Sequence, residues 1–268
     1  MYIAKTSNIN FWIPEKTWYS FFNSPYPAHR NGTAVDVYFE GEALFPFEEG
    51  IVREFRKINT RRGIEDSLIL VDINNFVLKI LHVKPFIKIG DKLYLGDSFG
   101  KVISSGFLCP WSDKHAHFEL RKPDDPYRAR GGLLLMPIIQ PLTPIAIGNK
   151  FIVVEREKNY VWVKPLNHRG RGLTPLSFHG KPIEGGIPHY HYGAIFGNTN
   201  RIDLMGNSID IKEHLPNGIG LFDAKCFRVE VNGVECIGIG IYCNQPFLKL
   251  ISKDFEEEDV IEIKISKS

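Results

Sequence analysis

The stretch SLILVDINNFVLKILHV, residues 67–83, sets the fold class of this chain. It holds two apolar or alternating runs, Ser67–Ile73 and Phe76–Val83, with two asparagines between them. Short runs bounded by Asn, Asp, Gly and Pro are typical of antiparallel β-structure. The same pattern recurs along the chain and predicts further strands at His117–Arg121, Phe151–Glu155, Tyr160–Val163, Phe227–Val231, Glu235–Ile241 and Val260–Ile265. We therefore predict an all-β chain.

Helical periodicity is scarce, and only one short helix is predicted, at Asn207–Leu215, with Asn207 or Ser208 as its N-cap. The dipeptide Asn232-Gly233 favours the two-residue turn of a β-hairpin. The segment Arg130–Pro144 is interrupted by glycines and prolines, and the composition changes after it. We place a domain boundary near residue 145, which gives a first domain at 1–144 and a β-rich accessory domain at 145–268.

The composition is that of an ordinary globular protein, with 43% apolar and 24% charged residues among 268. A net charge of +2 is too small to indicate a nucleic acid or an anionic membrane as a partner. No run of eighteen apolar residues is present, so we expect no membrane span. The first residues lack the pattern of a secretory signal, which indicates a cytoplasmic location as the chain reads, or an extracytoplasmic one if a signal has been removed.

The four cysteines form no C-x-x-C pair, which is the spacing that many metal and redox sites use. Cys236 and Cys243 are close enough in sequence for a disulfide. For a chain with a full core, however, reduced and buried thiols are the preferred interpretation.

Two histidines in KHAHFELR, Lys114–Arg121, point to chemistry. Residues two apart in a strand face the same side, so His115 and His117 project together. One imidazole can then bind a metal while its neighbour handles a proton. The alternative is a pair of hydrogen-bonded surface histidines, because H-x-H alone is a weak signal.

A third histidine and a carboxylate flank an Asn-Gly turn in HRNGTAVDV, residues 29–37. Asp36 lies between two valines in a predicted strand, where a solvated aspartate is unusual. It could cap a turn or pair with Arg30. With His29 and His117 it could instead complete a Zn²⁺ site of two imidazoles and one carboxylate, with a fourth position for water. His82, at the end of VLKILHV, is by itself more often a satisfied core histidine.

Together these elements resemble the lysostaphin-type (LytM-like) zinc metallopeptidases, which are peptidoglycan endopeptidases. The shared order is H…D, a strand ending in His, the segment IKIGDKLYLGDSFGKVISSG at residues 87–106, and then H-x-H-F-E. The resemblance covers about Tyr26–Gly132. It implies that the first domain is a barrel-sandwich hybrid (duplicated hybrid motif).

The resemblance also implies an activity and a role for each site residue. It makes His29, Asp36 and His117 the ligands of one Zn²⁺ per chain, and His82 and His115 the catalytic pair that activates water or stabilises the oxyanion. The implied reaction is metalloendopeptidase hydrolysis of a peptide or peptidoglycan-like substrate, with glycine-containing bonds favoured. Nucleic acid is not an expected partner.

The chain departs from the family pattern at two places. Six residues separate His29 from Asp36, where many members have three, although Asn31-Gly32 permits a tight turn. The loop Cys109–Lys114 lacks the small residues that the family carries before its H-x-H, and that loop shapes the substrate groove.

Two other interpretations are weighed against the enzyme. A non-catalytic binding or regulatory module could share the fold, but such relatives typically lose metal ligands. Biotinyl and lipoyl carriers also share it, and Asp113-Lys114 superficially fits their modified lysine, yet a carrier needs none of the five site residues. In the second domain, His189 and His191 repeat the same-face geometry without a carboxylate or Cys at ligand spacing. Three roles for that domain stay open: it packs on the first domain, it dimerises, or it forms one wall of the groove.

Overall fold

A computed structural model describes residues 1–60, 62–140, 148–166 and 173–267 of the chain. These ranges contain 27 strands and one helix of four residues. The prediction of an all-β chain with two β-rich domains is confirmed, and the sheets include one that curls into a half-barrel. Within the described ranges, no helix is long and apolar enough to cross a membrane.

The chain divides into two compact units. The first consists of Met1–Phe21 and Tyr26–Ile138, and the second of Phe22–Pro25 and Ile139–Ser268. The short segment 22–25 therefore belongs to the second unit, although both of its neighbours in sequence belong to the first. The predicted boundary near residue 145 lies outside the described residues.

The first unit holds thirteen of the described strands and the helix α1 (Pro27–Arg30). Its strands are β1 (Tyr2–Thr6), β2 (Ile9–Trp12), β3 (Trp18–Ser20), β4 (Val35–Tyr38), β5 (Glu42–Leu44), β6 (Glu49–Asn59), β7 (Glu65–Ile73), β8 (Phe76–Leu81), β9 (Val83–Pro85), β10 (Lys92–Tyr94), β11 (Ser98–Val102), β12 (Ala116–Arg121) and β13 (Met136–Pro137).

Seven of these strands form one antiparallel sheet in the order β10-β6-β7-β8-β12-β4-β3. Two three-stranded sheets, β13-β1-β2 and β5-β11-β9, complete the unit. The hairpin β7–β8 is the stretch quoted at the start, and Ile73 pairs with Phe76 across the two asparagines. Strand β12 pairs with β8 on one side and with β4 on the other, which places His117 directly opposite Asp36.

The core of the first unit is built around aromatic rings. Phe118 on β12 is 1% exposed, and its ring lies edge-on to Phe11, Phe39 and Phe99 at centroid distances of 5.3, 6.4 and 6.4 Å. Edge-to-face contacts of this kind add to the stabilisation that burial itself provides. Because Phe118 alternates along β12 with the polar residues on its other face, the same strand anchors the core and carries the site.

The second unit holds β14 (Lys150–Arg156), β15 (Val161–Pro165), β16 (Ser177–Phe178), β17 (Lys181–Ile187), β18 (Tyr192–Ile195), β19 (Arg201–Leu204), β20 (Asn207–Asp210), β21 (Glu213–His214), β22 (Gly220–Asp223), β23 (Phe227–Val231), β24 (Val234–Cys236), β25 (Gly238–Ile241), β26 (Leu248–Ile251) and β27 (Val260–Lys267). Its large sheet runs β21-β22-β18-β17-β25-β26-β15-β14-β27-β23-β24, with β16 beside β17 and a separate hairpin β19–β20. An apolar cluster of its own forms the core of this unit.

The predicted helix at Asn207–Leu215 is wrong, because this segment forms β20 and β21. Ile209 is buried between exposed Ser208 and Asp210, which is the alternation of a half-buried strand. Met205 and Gly206 take positive φ angles of 51° and 85° and make the two-residue turn that pairs β20 with β19. The helix α1 was not predicted, because its single turn is too short to show helical periodicity.

The hairpin predicted at Asn232-Gly233 is confirmed. Val231 pairs with Val234 across the turn, and Asn232 and Gly233 take φ angles of 50° and 83°.

All four cysteines are free. The prediction of buried thiols is right for Cys236 and Cys243 but wrong for Cys226, which is exposed.

The packing around Phe118 makes a testable prediction about stability. We expect Phe118→Ala to lower the free energy of unfolding of the first unit by about 3–5 kcal/mol, because it opens a cavity between three other rings. Phe86→Ala is the matched control: this ring is 57% exposed, so the expected change is within about 0.5 kcal/mol. Urea denaturation followed by fluorescence measures both. Equal losses in the two variants would contradict this description of the core.

Candidate functional site

The three residues predicted as metal ligands converge where β4 and β12 pair. Asp36 Oδ1 lies 2.8 Å from His117 Nδ1 and 3.2 Å from His29 Nε2, and the two histidine nitrogens are 3.2 Å apart. All three side chains are buried, with exposed fractions of 0 to 6%. Among the described residues, this is the group of His, Cys, Asp and Glu atoms that is compact enough to hold a metal ion.

The triangle of Asp36 Oδ1, His29 Nε2 and His117 Nδ1 is close in size to the one that three ligands of a zinc ion form. Ligand atoms about 2.0–2.1 Å from a tetrahedral zinc lie about 3.3 Å from one another. The observed edges of 2.8 to 3.2 Å need to widen by only about half an ångström or less to admit the ion. Two imidazoles and one carboxylate are also a donor set that zinc accepts.

Each of the two histidines is oriented by a hydrogen bond from its other ring nitrogen. His29 Nδ1 donates to the backbone oxygen of Phe21 at 2.8 Å, and His117 Nε2 donates to Glu119 Oε1 at 3.2 Å. Each bond orients its ring and turns the remaining nitrogen toward Asp36. Ligand histidines in metal sites are commonly held in this way.

The six residues between His29 and Asp36 are accommodated by α1 and the turn that follows it. His29 lies in the single turn of α1, and Gly32 takes a left-handed φ of 67°. The amide of Gly32 donates to His29 O at 2.8 Å, which reverses the chain toward β4. The Asn-Gly turn inferred from the sequence therefore lies where the longer spacing needs it.

Glu119 is held in turn by two cations. Its Oε1 accepts from Lys79 Nζ at 2.7 Å and its Oε2 from Arg121 Nη1 at 2.9 Å. Burial alone would raise the pKa of Glu119, but the contacts with His117 and Lys79 outweigh it and lower the pKa to about 2. The carboxylate is thus ionised at neutral pH and accepts the His117 N–H.

The role of Glu119 and its two cations was not predicted, although the sequence carries two signals for it. His117, Glu119 and Arg121 alternate along β12 and so share a face. Lys79 interrupts the apolar strand β8 and pairs in register with Glu119. A lysine inside an apolar strand, opposite a carboxylate on the next strand, indicates a buried ion pair.

His82 lies in the bend between β8 and β9 with a left-handed φ of 66°. Its Nδ1 donates to Asp66 Oδ2 at 2.6 Å, and its backbone N–H donates to Asp66 Oδ1 at 3.0 Å. Ser105 Oγ also donates to Asp66, at 2.8 Å. Burial would raise the pKa of Asp66, but these hydrogen bonds, His82 first, lower it. Asp66 is a second supporting residue that the sequence analysis missed, because its hydrogen bonds reach residues distant in sequence.

His115 immediately precedes β12, and its ring lies 5.2 Å from that of His82. Its Nδ1 donates to the backbone oxygen of Asp113 at 2.8 Å, while its Nε2 lies 3.5 Å from Asp36 Oδ2. Burial lowers the pKa of His115 to about 4, and the charge of Asp36 only partly offsets it. The ring is therefore neutral at pH 7, with the lone pair of Nε2 on the side of Asp36.

The structure thus brings all five predicted residues together: His29, Asp36 and His117 as one cluster, with His82 and His115 beside it. The histidine pair of the second unit behaves differently. Residues 188–190 form a turn rather than a strand, and His191 takes a φ of 68°, so the expected same-face geometry of His189 and His191 is wrong.

Two family models match the chain. Residues 11–137 match the N-terminal domain, and residues 143–266 the C-terminal domain, of a family described as Domain of unknown function (DUF8155). No curated protein matches the chain.

Two solved structures are similar to parts of the chain. One is a mutant catalytic domain of the prophage-encoded M23 protein EnpA from Enterococcus faecalis, which is 26% identical, with 38% of this chain and 73% of that chain covered and a TM-score of 0.28. The other is described as a novel M23 metalloprotease, pseudoalterin, from the deep sea, which is 13% identical, with 60% and 95% covered and a TM-score of 0.30. TM-scores this low establish nothing about the activity of this chain, so the case for a function rests on its own residues.

The pKa shifts predict how the stability of the metal-free protein depends on pH. Burial would lower the pKa of His117, but hydrogen bonds with Asp36 and Glu119 outweigh it and raise the pKa to about 9. Its contribution is fully present below its unfolded pKa of about 6.5 and is lost as the pH rises toward 9. His115, with a folded pKa of about 4, contributes stability that is lost as the pH falls from about 6.5 toward 4.

We therefore expect the free energy of unfolding to be greatest between about pH 6 and 7 when a chelator is present. Urea denaturation from pH 5 to 9 measures it. His117→Gln should flatten the decline above pH 7. His115→Gln should lessen the decline below pH 6, to which His189 also contributes because burial lowers its pKa to about 3. A stability that rises steadily from pH 7 to 9 would contradict these assignments.

Proposed function

The chain belongs to the family described as Domain of unknown function (DUF8155), and this description names no activity. We therefore propose a function from the site itself: the chain is a zinc metalloendopeptidase. The observation that carries the proposal is the buried triangle of His29, Asp36 and His117. Three protein ligands with room for a fourth are characteristic of catalytic zinc, whereas structural zinc is usually closed by four.

Zinc suits this triangle better than the other common divalent ions do. Magnesium and calcium prefer a shell of oxygen atoms, and here two of the three donors are imidazole nitrogens. Both histidines also have the outer hydrogen bond that fixes a ligand, through Phe21 and Glu119. A bound zinc ion would polarise the carbonyl group of a substrate and make water acidic near neutral pH.

The two remaining histidines then divide the proton chemistry between them. His115 is neutral and has a free Nε2 near Asp36, so it is suited to accept a proton from attacking water. His82 donates through Nδ1 to Asp66, which fixes the orientation of its ring. We assign it the complementary role of stabilising the negative oxygen that develops in the transition state and of delivering a proton to the leaving amine.

The substrate that we propose is an extended peptide with small residues, glycine above all, beside the scissile bond. The five site side chains have exposed fractions of no more than 6%, so a substrate carbonyl must reach deep to meet them. A slim backbone can do this, whereas a bulky neighbouring side chain would clash and raise the barrier. Glycine-containing and cell-wall-type peptides have this character.

The proposed ligands make a direct prediction about metal content. The purified protein should hold about one zinc per chain, and Asp36→Ala, His117→Ala and His29→Ala should each lose most of it. Glu119→Gln should weaken zinc binding by about 10- to 100-fold, because it removes the charge that orients His117. Elemental analysis and competition with a chromophoric chelator measure both quantities. The exposed His191 serves as the control, and His191→Ala should bind zinc like the wild type.

Full zinc content in both Asp36→Ala and His117→Ala would show that the metal binds at another site. A wild-type protein that binds no zinc from a buffered solution would overturn the proposed function altogether.

The catalytic pair makes a second prediction. His115→Ala and His82→Ala should keep zinc but lose about 10²- to 10⁴-fold in kcat, which is the usual contribution of a proton-transfer group. Cleavage of an oligoglycine peptide, followed by mass spectrometry, measures it, and peptides with Leu or Phe at the same positions should be cleaved more slowly. His191→Ala should retain full turnover.

Loss of zinc in either variant would instead make that histidine a ligand. A zinc-loaded wild type that cleaves none of these peptides would favour a non-catalytic binding module with the same site.

A further inference from the structure

The segment Phe22–Pro25 leaves the first unit immediately before α1 and is built into the second. We call these four residues the anchor segment. The chain returns at Tyr26, one residue before α1 and three before His29. Contacts that hold the anchor segment therefore also hold the backbone that leads into α1 and the proposed ligand His29.

Backbone groups of the anchor segment bond to buried side chains of the second unit. The amide of Phe22 donates to Glu184 Oε1 at 3.0 Å, and Tyr192 Oη donates to the backbone oxygen of Ser24 at 2.9 Å. Phe22 and Glu184 are fully buried, and Ser24 and Tyr192 nearly so. Both hydrogen bonds are shielded from water, and a buried carboxyl group makes one of them. Hydrogen bonds of this kind hold a backbone in a single position.

The side chain of Asn23 lies in a space that two glycines leave open. Its Nδ2 donates to the backbone oxygen of Ile241 at 3.4 Å. A Cβ at Gly186 would lie 2.7 Å from Asn23 Oδ1, and a Cβ at Gly240 would lie 3.1 Å from Asn23 Nδ2. The Cβ at Gly186 would also overlap the Tyr190 ring, so glycine at this position leaves space for that ring as well as for the amide. The sheet of the second unit is thus shaped to take this side chain.

Both supports of His29 lie next to the anchor segment in sequence. Phe21, whose backbone oxygen accepts the His29 Nδ1 hydrogen bond, immediately precedes it, and α1, which carries the His29 backbone, begins at Pro27. A chain that moves at residues 22–25 would move the acceptor and the backbone independently. The geometry of His29 toward Asp36 would then be lost, although neither residue had been altered.

We infer that the second unit positions the metal ligand His29 by holding the anchor segment, with Glu184, Tyr192 and Asn23 as positioning residues. The part that concerns zinc rests on the proposed function, whereas the ordering of α1 does not. This gives the second domain a role in the site through chain connectivity alone: it is needed for ligand placement rather than for substrate contact.

The test measures order at α1 and zinc affinity in the full-length chain. Glu184→Ala, and the milder double variant Asn23→Ala with Tyr192→Phe, remove the anchoring bonds. Hydrogen exchange of the metal-free protein should then speed up at least tenfold at the amides of residues 29–33, which close α1 and its turn. Zinc affinity should fall at least tenfold. Glu184→Gln, which keeps an oxygen to accept from Phe22, should restore both.

Leu204→Ala is the control for general destabilisation. Leu204 lies in the core of the second unit on β19, so its removal should lower the free energy of unfolding without changing exchange at residues 29–33 or zinc affinity. Unchanged exchange in the double variant, or equal acceleration in Leu204→Ala, would overturn the inference. If the wild type binds no zinc, the proposed function fails, and hydrogen exchange alone still decides whether the anchor segment orders α1.

Discussion

The antiparallel pairing of β4 with β12 is the interaction on which the site depends. It sets Asp36 opposite His117, and both residues lie on strands that are buried along their whole length. A carboxylate in such a position is unfavourable unless charged or hydrogen-bonding groups surround it. Burial alone would raise the pKa of Asp36, but His115, His29 and His117 lower it well below its usual range. The sheet can hold this charge because three histidines surround the carboxylate and stabilise its ionised form.

The same requirement is met step by step away from the cluster. Glu119 satisfies His117 and is itself satisfied by Lys79 and Arg121, so that one buried charge leads to the next. Such a network adds little net stability compared with apolar side chains of the same size, while the loss of one member leaves its partner exposed to a low dielectric. Natural proteins depart from apolar packing in this way chiefly at functional or strained sites.

The sequence predicted those parts of the molecule that depend on local patterns. Alternation gave the hairpin β7–β8 and the strand β12, and the residue order H…D…H…H-x-H picked out all five side chains that the structure brings together. It could not show Asp66, because His82 reaches this carboxylate only when the strands pair. Lys79 left a signal, as a lysine inside an apolar strand, but its partner Glu119 also lies opposite it only when the strands pair. The helix predicted at Asn207–Leu215 failed for a related reason: the turn at Met205 and Gly206 pairs this segment as a strand, and pairing outweighs a plausible N-cap.

The spacing between His29 and Asp36 shows how far such inference can reach. When only the sequence is considered, the longer spacing argues against His29 as a ligand. The structure gives the extra residues a use: α1 and the Gly32 turn bring the imidazole back to Asp36, and the anchor segment fixes the start of that path. A helix of one turn is not stable by itself, so α1 cannot hold the backbone of a ligand in place without support. Its position must come from the residues on either side, which is why a site in the first unit depends on residues that are built into the second.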